Sequence, residues 1–338
     1  MSKILVTGGT GYIGSHTVVE LHNAGYEVII IDNLSNSNIK ILNQLHQITG
    51  KWHEFVELDL QNVDAVTAFA KGNQDITGII HFAAYKAVGE SVEQPLKYYK
   101  NNFYSLINLL SAYPKIDFVF SSSCTVYGQP DTLPVTENSE VKKAESPYGN
   151  TKQIAEEILK ETAAVTPGLN VIALRYFNPV GAHASALIGE LPIGVPQNLV
   201  PFITQSAIGK RGPIQVYGND YDTPDGSAIR DYIHVVDLAK AHVAAIKRLA
   251  MNEVNDYDVF NLGTGKGSTV LEIIHAFEDS TGEQLNYTVA PRRAGDIEKI
   301  YGDVTKSKEV LGWQTELDIH EMMRSAWNWE KYLKENPF

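Results

Sequence analysis

Cysteine is nearly absent: Cys124 is the one thiol in 338 residues. An intramolecular disulfide is therefore excluded, and the usage fits a reducing compartment. Excess positive charge is absent too. Lys and Arg number 28 against 40 Asp and Glu, a net charge of −12. An acidic chain without a basic block lacks the electrostatic footprint for nucleic acid or an anionic membrane. It can still hold a small anion where a few Arg side chains converge. No run approaches the ~18 uncharged apolar residues of a membrane helix. The opening Met1-Ser2-Lys3-Ile4-Leu5-Val6 shows no apolar leader core or small-residue cleavage site, so a soluble cytoplasmic protein is expected. With 43% apolar and 20% charged residues, the chain is neither disordered nor collagen-like. Its length over ~150 suggests about two domains.

The first half alternates short apolar runs with helical spacing. Runs at 3–6, 27–31, 55–58, 78–81, 117–120 and 170–174 read as strands. They are continuously Val-, Ile- and Leu-rich instead of alternating, as in strands buried on both faces. Strand–helix–strand repetition implies right-handed crossovers and a parallel sheet. The expected fold is α/β: a Rossmann-type doubly wound parallel sheet with a smaller mixed α/β lobe. After Phe177, Gly and Pro punctuate the chain up to Arg230, helical spacing returns at 235–250, and 259–262 reads as one more strand. The lobes are thus expected to interleave: 1–178 plus about 234–262 for the sheet, and about 179–233 plus 263–338 for the second lobe.

Strand one runs into Thr7-Gly8-Gly9-Thr10-Gly11-Tyr12-Ile13-Gly14, and a helix follows. Glycines at 8, 11 and 14 suit a tight turn, close approach of a pyrophosphate, and close helix–strand packing. The helix N-terminus then offers free N–H groups to the phosphates. Strand before and helix after is the context that a dinucleotide site requires. Asp32 ends strand two, where a carboxylate accepts from ribose hydroxyls and repels a 2′-phosphate. No Arg follows in Asn33-Leu34-Ser35-Asn36-Ser37, which favours NAD over NADP. Asp59, after strand three, can reach an adenine edge.

Strand five continues into Ser121-Ser122-Ser123-Cys124-Thr125, at the sheet edge where open α/β folds place ligands. Farther on, Ser146-Pro147-Tyr148-Gly149-Asn150-Thr151-Lys152 opens a helix. Tyr148 and Lys152 are four apart and share one face. An ammonium beside a phenol favours phenolate and lowers the tyrosine pKa. Tyr148 is therefore expected as general base, with Ser123 steadying the reacting oxygen.

Together with the blocks 81–91, 121–128, 146–152, 175–182, 230–235 and 291–296, these motifs make the chain similar to the extended short-chain dehydrogenase/reductases. Within that family it most resembles the branch that epimerises nucleotide sugars at C4. The likeness spans nearly the whole chain, and the segments around Lys86, Asn178 and Gly218-Asn219-Asp220-Tyr221 are the more particular to the epimerases.

The resemblance implies permanently held NAD and interconversion of UDP-glucose and UDP-galactose through a transient 4-keto sugar, with no metal. It implies cofactor contacts from Gly8, Gly11, Tyr12, Ile13 and Gly14, from Asp32, Asn33, Leu34, Ser35, Asn36 and Ser37, and from Asp59 and Leu60. Phe82, Ala83, Ala84, Tyr85, Lys86, Asn101, Tyr148, Lys152 and Phe177 would line the rest. On the substrate side it implies Ser123 and Tyr148 at the sugar, and Asn178, Asn198, Leu199 and Tyr217 at the nucleotide. Arg230 and Arg293 would clamp the diphosphate, Asp296 would touch the ribose, and Ile300 would border the sugar. A homodimer through helices near 90–112 and 150–165 is also implied.

Departures from the family pattern matter. Hexose dehydratases place an Asp-Glu pair directly after the hydroxyl residue, whereas Cys124 and Thr125 stand here. Cys124 replaces a frequent Ala and is expected as a small buried residue. Ile300 stands where some relatives carry Tyr, which leaves UDP-N-acetylhexosamines open as substrates. The competing readings are a 4-epimerase of another nucleotide sugar, such as UDP-glucuronate, and a non-catalytic NAD-sensing protein. The pair Tyr148 and Lys152 argues against the latter.

Overall fold

The computed structural model describes residues 2–293 and 297–338. Its first half runs β1 (Lys3–Thr7), α1 (Tyr12–Asn23), β2 (Glu27–Asp32), α2 (Ile41–Thr49), β3 (Glu54–Glu57), α3 (Val63–Gly72) and β4 (Ile76–His81). It continues through α4 (Val88–Glu93), α5 (Pro95–Ala112), β5 (Asp117–Ser121), a 3-10 turn (Cys124–Tyr127), α6 (Pro147–Val165) and β6 (Asn170–Tyr176). Next come β7 (Asn178–Val180), α7 (Leu199–Ala207), β8 (Ile214–Tyr217), β9 (Ile229–Arg230), β10 (Tyr232–His234), α8 (Val235–Ala250) and β11 (Tyr257–Leu262). The chain closes with β12 (Ser268–Thr269), α9 (Val270–Thr281), β13 (Tyr287–Ala290), β14 (Lys299–Ile300), α10 (Thr305–Glu309) and α11 (Ile319–Glu335).

The expected sheet forms. Seven parallel strands lie in the order β11-β6-β5-β4-β1-β2-β3. Winding reverses between β1 and β4, and a crevice opens there at the carboxyl ends of the strands. The apolar runs are continuous because both faces are covered. Ile4, Val6, Val28 and Ile30 join one core with α1 and α8 residues such as Val18 and Leu238. Leu5, Ile29 and Ile31 join the other with Leu106, Leu109 and Leu159.

A separate core gathers Val180, Val200, Ile203, Ile273, Phe277, Met323 and Trp327. Short strands pair around it: β7 with β10, β8 with β13, and β9 with both β12 and β14. Helices α7 and α11 emerge from stretches whose sequence showed no clear period. Leu311 and Trp313, from the stretch after β14, pack into the first core. The Trp313 indole donates to the Asp237 carbonyl on α8 at 2.9 Å. Among the described residues, no helix is long and apolar enough to cross a membrane.

Candidate active site

The turn between β1 and α1 is built for backbone approach. Gly8 has φ +70°, and a Cβ there would lie 3.0 Å from the Ala83 nitrogen. At Gly14 a Cβ would lie 2.2 Å from the Gly8 carbonyl oxygen. Gly11 caps α1 without a side-chain bond. The first-turn N–H groups, which have no intrahelical acceptor, are thus left for an anion, and the helix dipole favours one. Gly9, missing from the expected set, packs against β2; a Cβ would meet Ile30 Cγ2 at 2.8 Å.

Asp32 shapes the next part of the cradle. Its Oδ2 accepts from Thr10 N–H at 3.2 Å, and its Oδ1 from Leu34 N–H and Ser37 Oγ at 2.9 Å each. Asn33, Ser35, Asn36, Ser37, Asp59 and Leu60 line the same cleft. Leu34 does not. Its backbone is left-handed, φ +58°, and its N–H holds Asp32. Phe82, Ala83, Ala84, Tyr85, Lys86 and Asn101 carry the lining onward. Asn102, which the sequence reading passed over, pins that loop. Its Oδ1 accepts from Tyr85 N–H at 2.9 Å, and its Nδ2 donates to the Tyr85 carbonyl and to Thr151 Oγ1. The Asn-Asn pair was the available signal.

These residues fit NAD: a cradle that any Cβ at Gly14 would fill, a bare helix N-terminus, and a carboxylate at the end of β2.

Tyr148 reaches the cleft because Ser146 caps α6, accepting from Gly149 N–H at 3.1 Å, and Pro147 starts its first turn. Ser123 lies two residues past β5 and caps the 3-10 turn, its Oγ accepting from Thr125 N–H at 3.2 Å. Tyr148, Lys152 and Ser123 are all buried and all line the cleft. The expected effect of Lys152 on the phenol is not what the chain alone provides. The Lys152 Nζ donates to the Ser121 carbonyl at 2.5 Å and sits 5.9 Å from the Tyr148 ring centroid. Burial dominates, pushing the Tyr148 phenol well above its ordinary value, while the Ser123 hydroxyl works in the opposite direction. Burial likewise lowers the Lys152 ammonium to about 7, partly opposed by Glu156. The Cys124 thiol is pushed up to about 12 by burial, so it is no nucleophile at neutral pH.

The opposite wall assembles from the second lobe. Ile300 and Arg230 are register partners in the parallel pair of β14 and β9, so residues 70 apart in sequence become neighbours. Ile300 packs with Cys124, Val126 and Phe177 in one apolar cluster. The Arg293 guanidinium stacks on the Tyr217 ring at 4.6 Å. Asn198 stands at the N-terminus of α7, followed by Leu199, and its Nδ2 donates to Glu190 Oε1 at 2.7 Å. The same oxygen meets Lys86 Nζ at 3.3 Å, a link across the cleft with no sequence signal. Asn178, Asn198, Leu199, Tyr217, Arg230, Arg293, Phe177 and Ile300 share the cleft with the glycine turn, Tyr12 and Ile13. Asp296 lies outside the described residues. The cleft is one cavity of about 1700 Å³, ample for a dinucleotide and a second nucleotide together.

A dinucleotide cradle at the switch point, facing a buried Ser, Tyr and Lys, defines an extended short-chain dehydrogenase/reductase. Comparison with known proteins gives the same class and narrows it. Residues 5–326 match the family model described as GDP-mannose 4,6 dehydratase. The UDP-glucose 4-epimerase of Haemophilus influenzae is 48% identical over 333 residues, covering 97% of each chain. The epimerase structure from Stenotrophomonas maltophila, with bound NAD and formylated UDP-arabinopyranose, superposes with a TM-score of 0.96 at 44% identity and 99% coverage of both chains. That from Bifidobacterium longum, with NAD+ and UDP, gives 0.92 at 46% identity, again with 99% coverage of both chains. The chain belongs to this extended short-chain dehydrogenase/reductase family, and within it to the UDP-glucose 4-epimerases.

Proposed function

We propose that this chain is an NAD-dependent UDP-hexose 4-epimerase, interconverting UDP-galactose and UDP-glucose through a transient 4-keto sugar in galactose metabolism. The observation that carries the reading is a single cleft lined by the glycine turn and Asp32, by Ser123, Tyr148 and Lys152, and by Arg230 and Arg293. Full-length relatives at 48% identity bear the name of that reaction.

Bound NAD supplies reversible acceptance and return of the C4 hydride. The protein supplies the rest. Arg230 and Arg293 hold the diphosphate as charge-assisted donors, which reconciles an anionic substrate with an acidic chain. Asn178, Asn198, Leu199 and Tyr217 hold the nucleotide, so the sugar alone is free to turn over. Tyr148 takes and returns the proton of the sugar O4, and Ser123 hydrogen-bonds that oxygen. Lys152, buried beside them, contributes positive charge and fixes the strand end through Ser121. Burial excludes water from the ketone. The residues 179–233 and 263–338 form the substrate lobe in this reading.

Dehydration is disfavoured because positions 124 and 125 hold a buried thiol and a hydroxyl where a carboxylate pair is required. A uronate substrate would need a further cation at the sugar. We also infer a cytoplasmic homodimer through helices near 90–112 and 150–165; the exposed Leu96, Tyr104 and Ile107 on α5 support it. Gel filtration at the monomer mass would overturn the dimer. The reaction itself is tested by supplying UDP-galactose to the purified protein with no added cofactor. UDP-glucose should form; none forming, even with NAD supplied, would overturn the proposal.

A further inference from the structure

Three successive serines at the end of β5 each meet a different residue on one face of α6. The Ser121 carbonyl accepts from Lys152 Nζ at 2.5 Å. The Ser122 hydroxyl donates to Glu156 Oε1. The Ser123 hydroxyl faces the Tyr148 phenol. Tyr148, Lys152 and Glu156 are spaced four apart and all are buried, so they stack on one side of the helix.

Glu156 is the anchor of that stack. Its Oε2 receives Arg175 Nη2 at 2.6 Å, and its Oε1 receives Arg175 Nε at 3.0 Å. Arg175 projects from β6 and passes Nη1 to the Tyr127 hydroxyl at 3.1 Å, and Tyr127 donates to Asn261 Oδ1 on β11 at 2.6 Å. One carboxylate therefore ties α6 to β5, β6, the 3-10 turn and β11. A buried ion pair held this completely fixes geometry; it is weak evidence for stability alone.

We propose that Glu156 is a positioning residue for the reaction, fixing through Ser122 the strand end that carries Ser123 and, one turn along α6, the charge on Lys152. The inference rests on the epimerase reading. The groups facing this carboxylate are Ser122 after β5, Arg175 on β6 and Tyr257 on β11, with Lys152 on its own helix; Tyr127 on the 3-10 turn meets Arg175 on its other side. Lys152 in turn faces the Phe120 ring and His81, whose imidazole burial keeps neutral at neutral pH. Among the described residues, Glu156 is the carboxylate that raises the Lys152 pKa. Removing it leaves Arg175 uncompensated, and both changes make Lys152 release its proton at lower pH.

The test compares wild type, Glu156→Gln, Glu156→Asp and Ser122→Ala for kcat, KM, the pH profile of kcat, melting temperature, and UDP affinity by calorimetry. Glu156→Gln should lower kcat by about 10- to 100-fold with KM and UDP affinity within about threefold. Its alkaline limb should move to lower pH, and Glu156→Asp should recover part of the loss. Ser122→Ala, which leaves the Arg175 pair intact, should lower kcat by about three- to tenfold, and this arm decides if Glu156→Gln does not fold. An unaltered pH profile and kcat with a lower melting temperature would make Glu156 a purely structural residue and overturn the proposal. A wild type that fails to epimerise would overturn the epimerase reading instead.

Discussion

The Lys152 ammonium donates to the Ser121 carbonyl at 2.5 Å and not to the Tyr148 phenol one helical turn before it. The lysine is thereby held by the end of β5, two residues before Ser123. Its positive charge is costly to bury, which is why its pKa falls to about 7 in the folded chain against an ordinary 10.5. At neutral pH the phenol is protonated in the protein alone, and the cationic ring of NAD+, when bound, would add positive charge that favours phenolate.

The Lys152 displacement has a sign. Between pH 7 and 10.5 the unfolded chain binds more protons at this residue than the folded one, so its contribution to stability rises with pH. Below pH 7 the full cost of burying the ammonium is present. Lys152→Met should therefore gain melting temperature relative to wild type at pH 6 and lose that advantage progressively towards pH 10. Calorimetric melts at both pH values check this; a pH-independent difference would contradict a buried, desolvated ammonium.

Tyr148→Phe removes only the hydroxyl of a buried ring. General base catalysis contributes about 10²- to 10⁴-fold, so turnover should fall by that factor while UDP affinity stays within about threefold. Steady-state kinetics and calorimetry measure the two quantities separately.

Gly14→Ala would put a methyl 2.2 Å from the Gly8 carbonyl oxygen. Backbone lies on both sides of that contact, so the turn must open and the cradle is lost. NAD carried by the purified variant should fall at least ~10-fold, measured by absorbance after acid release, as the helix N-terminus loses its alignment.

Ile300 is 3% exposed and packs on Phe177 and Cys124 beside the cleft. Ile300→Tyr adds bulk at that wall. The ratio of kcat/KM for UDP-N-acetylglucosamine to that for UDP-glucose should drop by about tenfold or more, within the range of pocket-size discrimination. Equal ratios in both proteins would remove Ile300 from the sugar pocket.

The sheet was legible because its strands are buried on both faces, so β1, β2 and β4 to β6 announce themselves as short, largely apolar runs without polar alternation. The glycine turn and the Tyr148–Lys152 spacing were legible because backbone approach and helix periodicity dictate local sequence. What stayed hidden depends on long-range contact. The register of Ile300 with Arg230, the bridge of Glu190 to Lys86 and Asn198, and the Glu156–Arg175 pair join segments that carry no common pattern. Spacing places Lys152 beside Tyr148, but it does not report burial, which pushes the phenol upward in the chain.

In the proposed reaction the C4 hydrogen never leaves the closed site, while Tyr148 handles only the O4 proton. The most direct test is conversion of UDP-galactose by the purified protein in deuterated water, followed by NMR of the product. UDP-glucose with full protium at C4 and no need for added cofactor is the predicted result. Deuterium at C4 would contradict it.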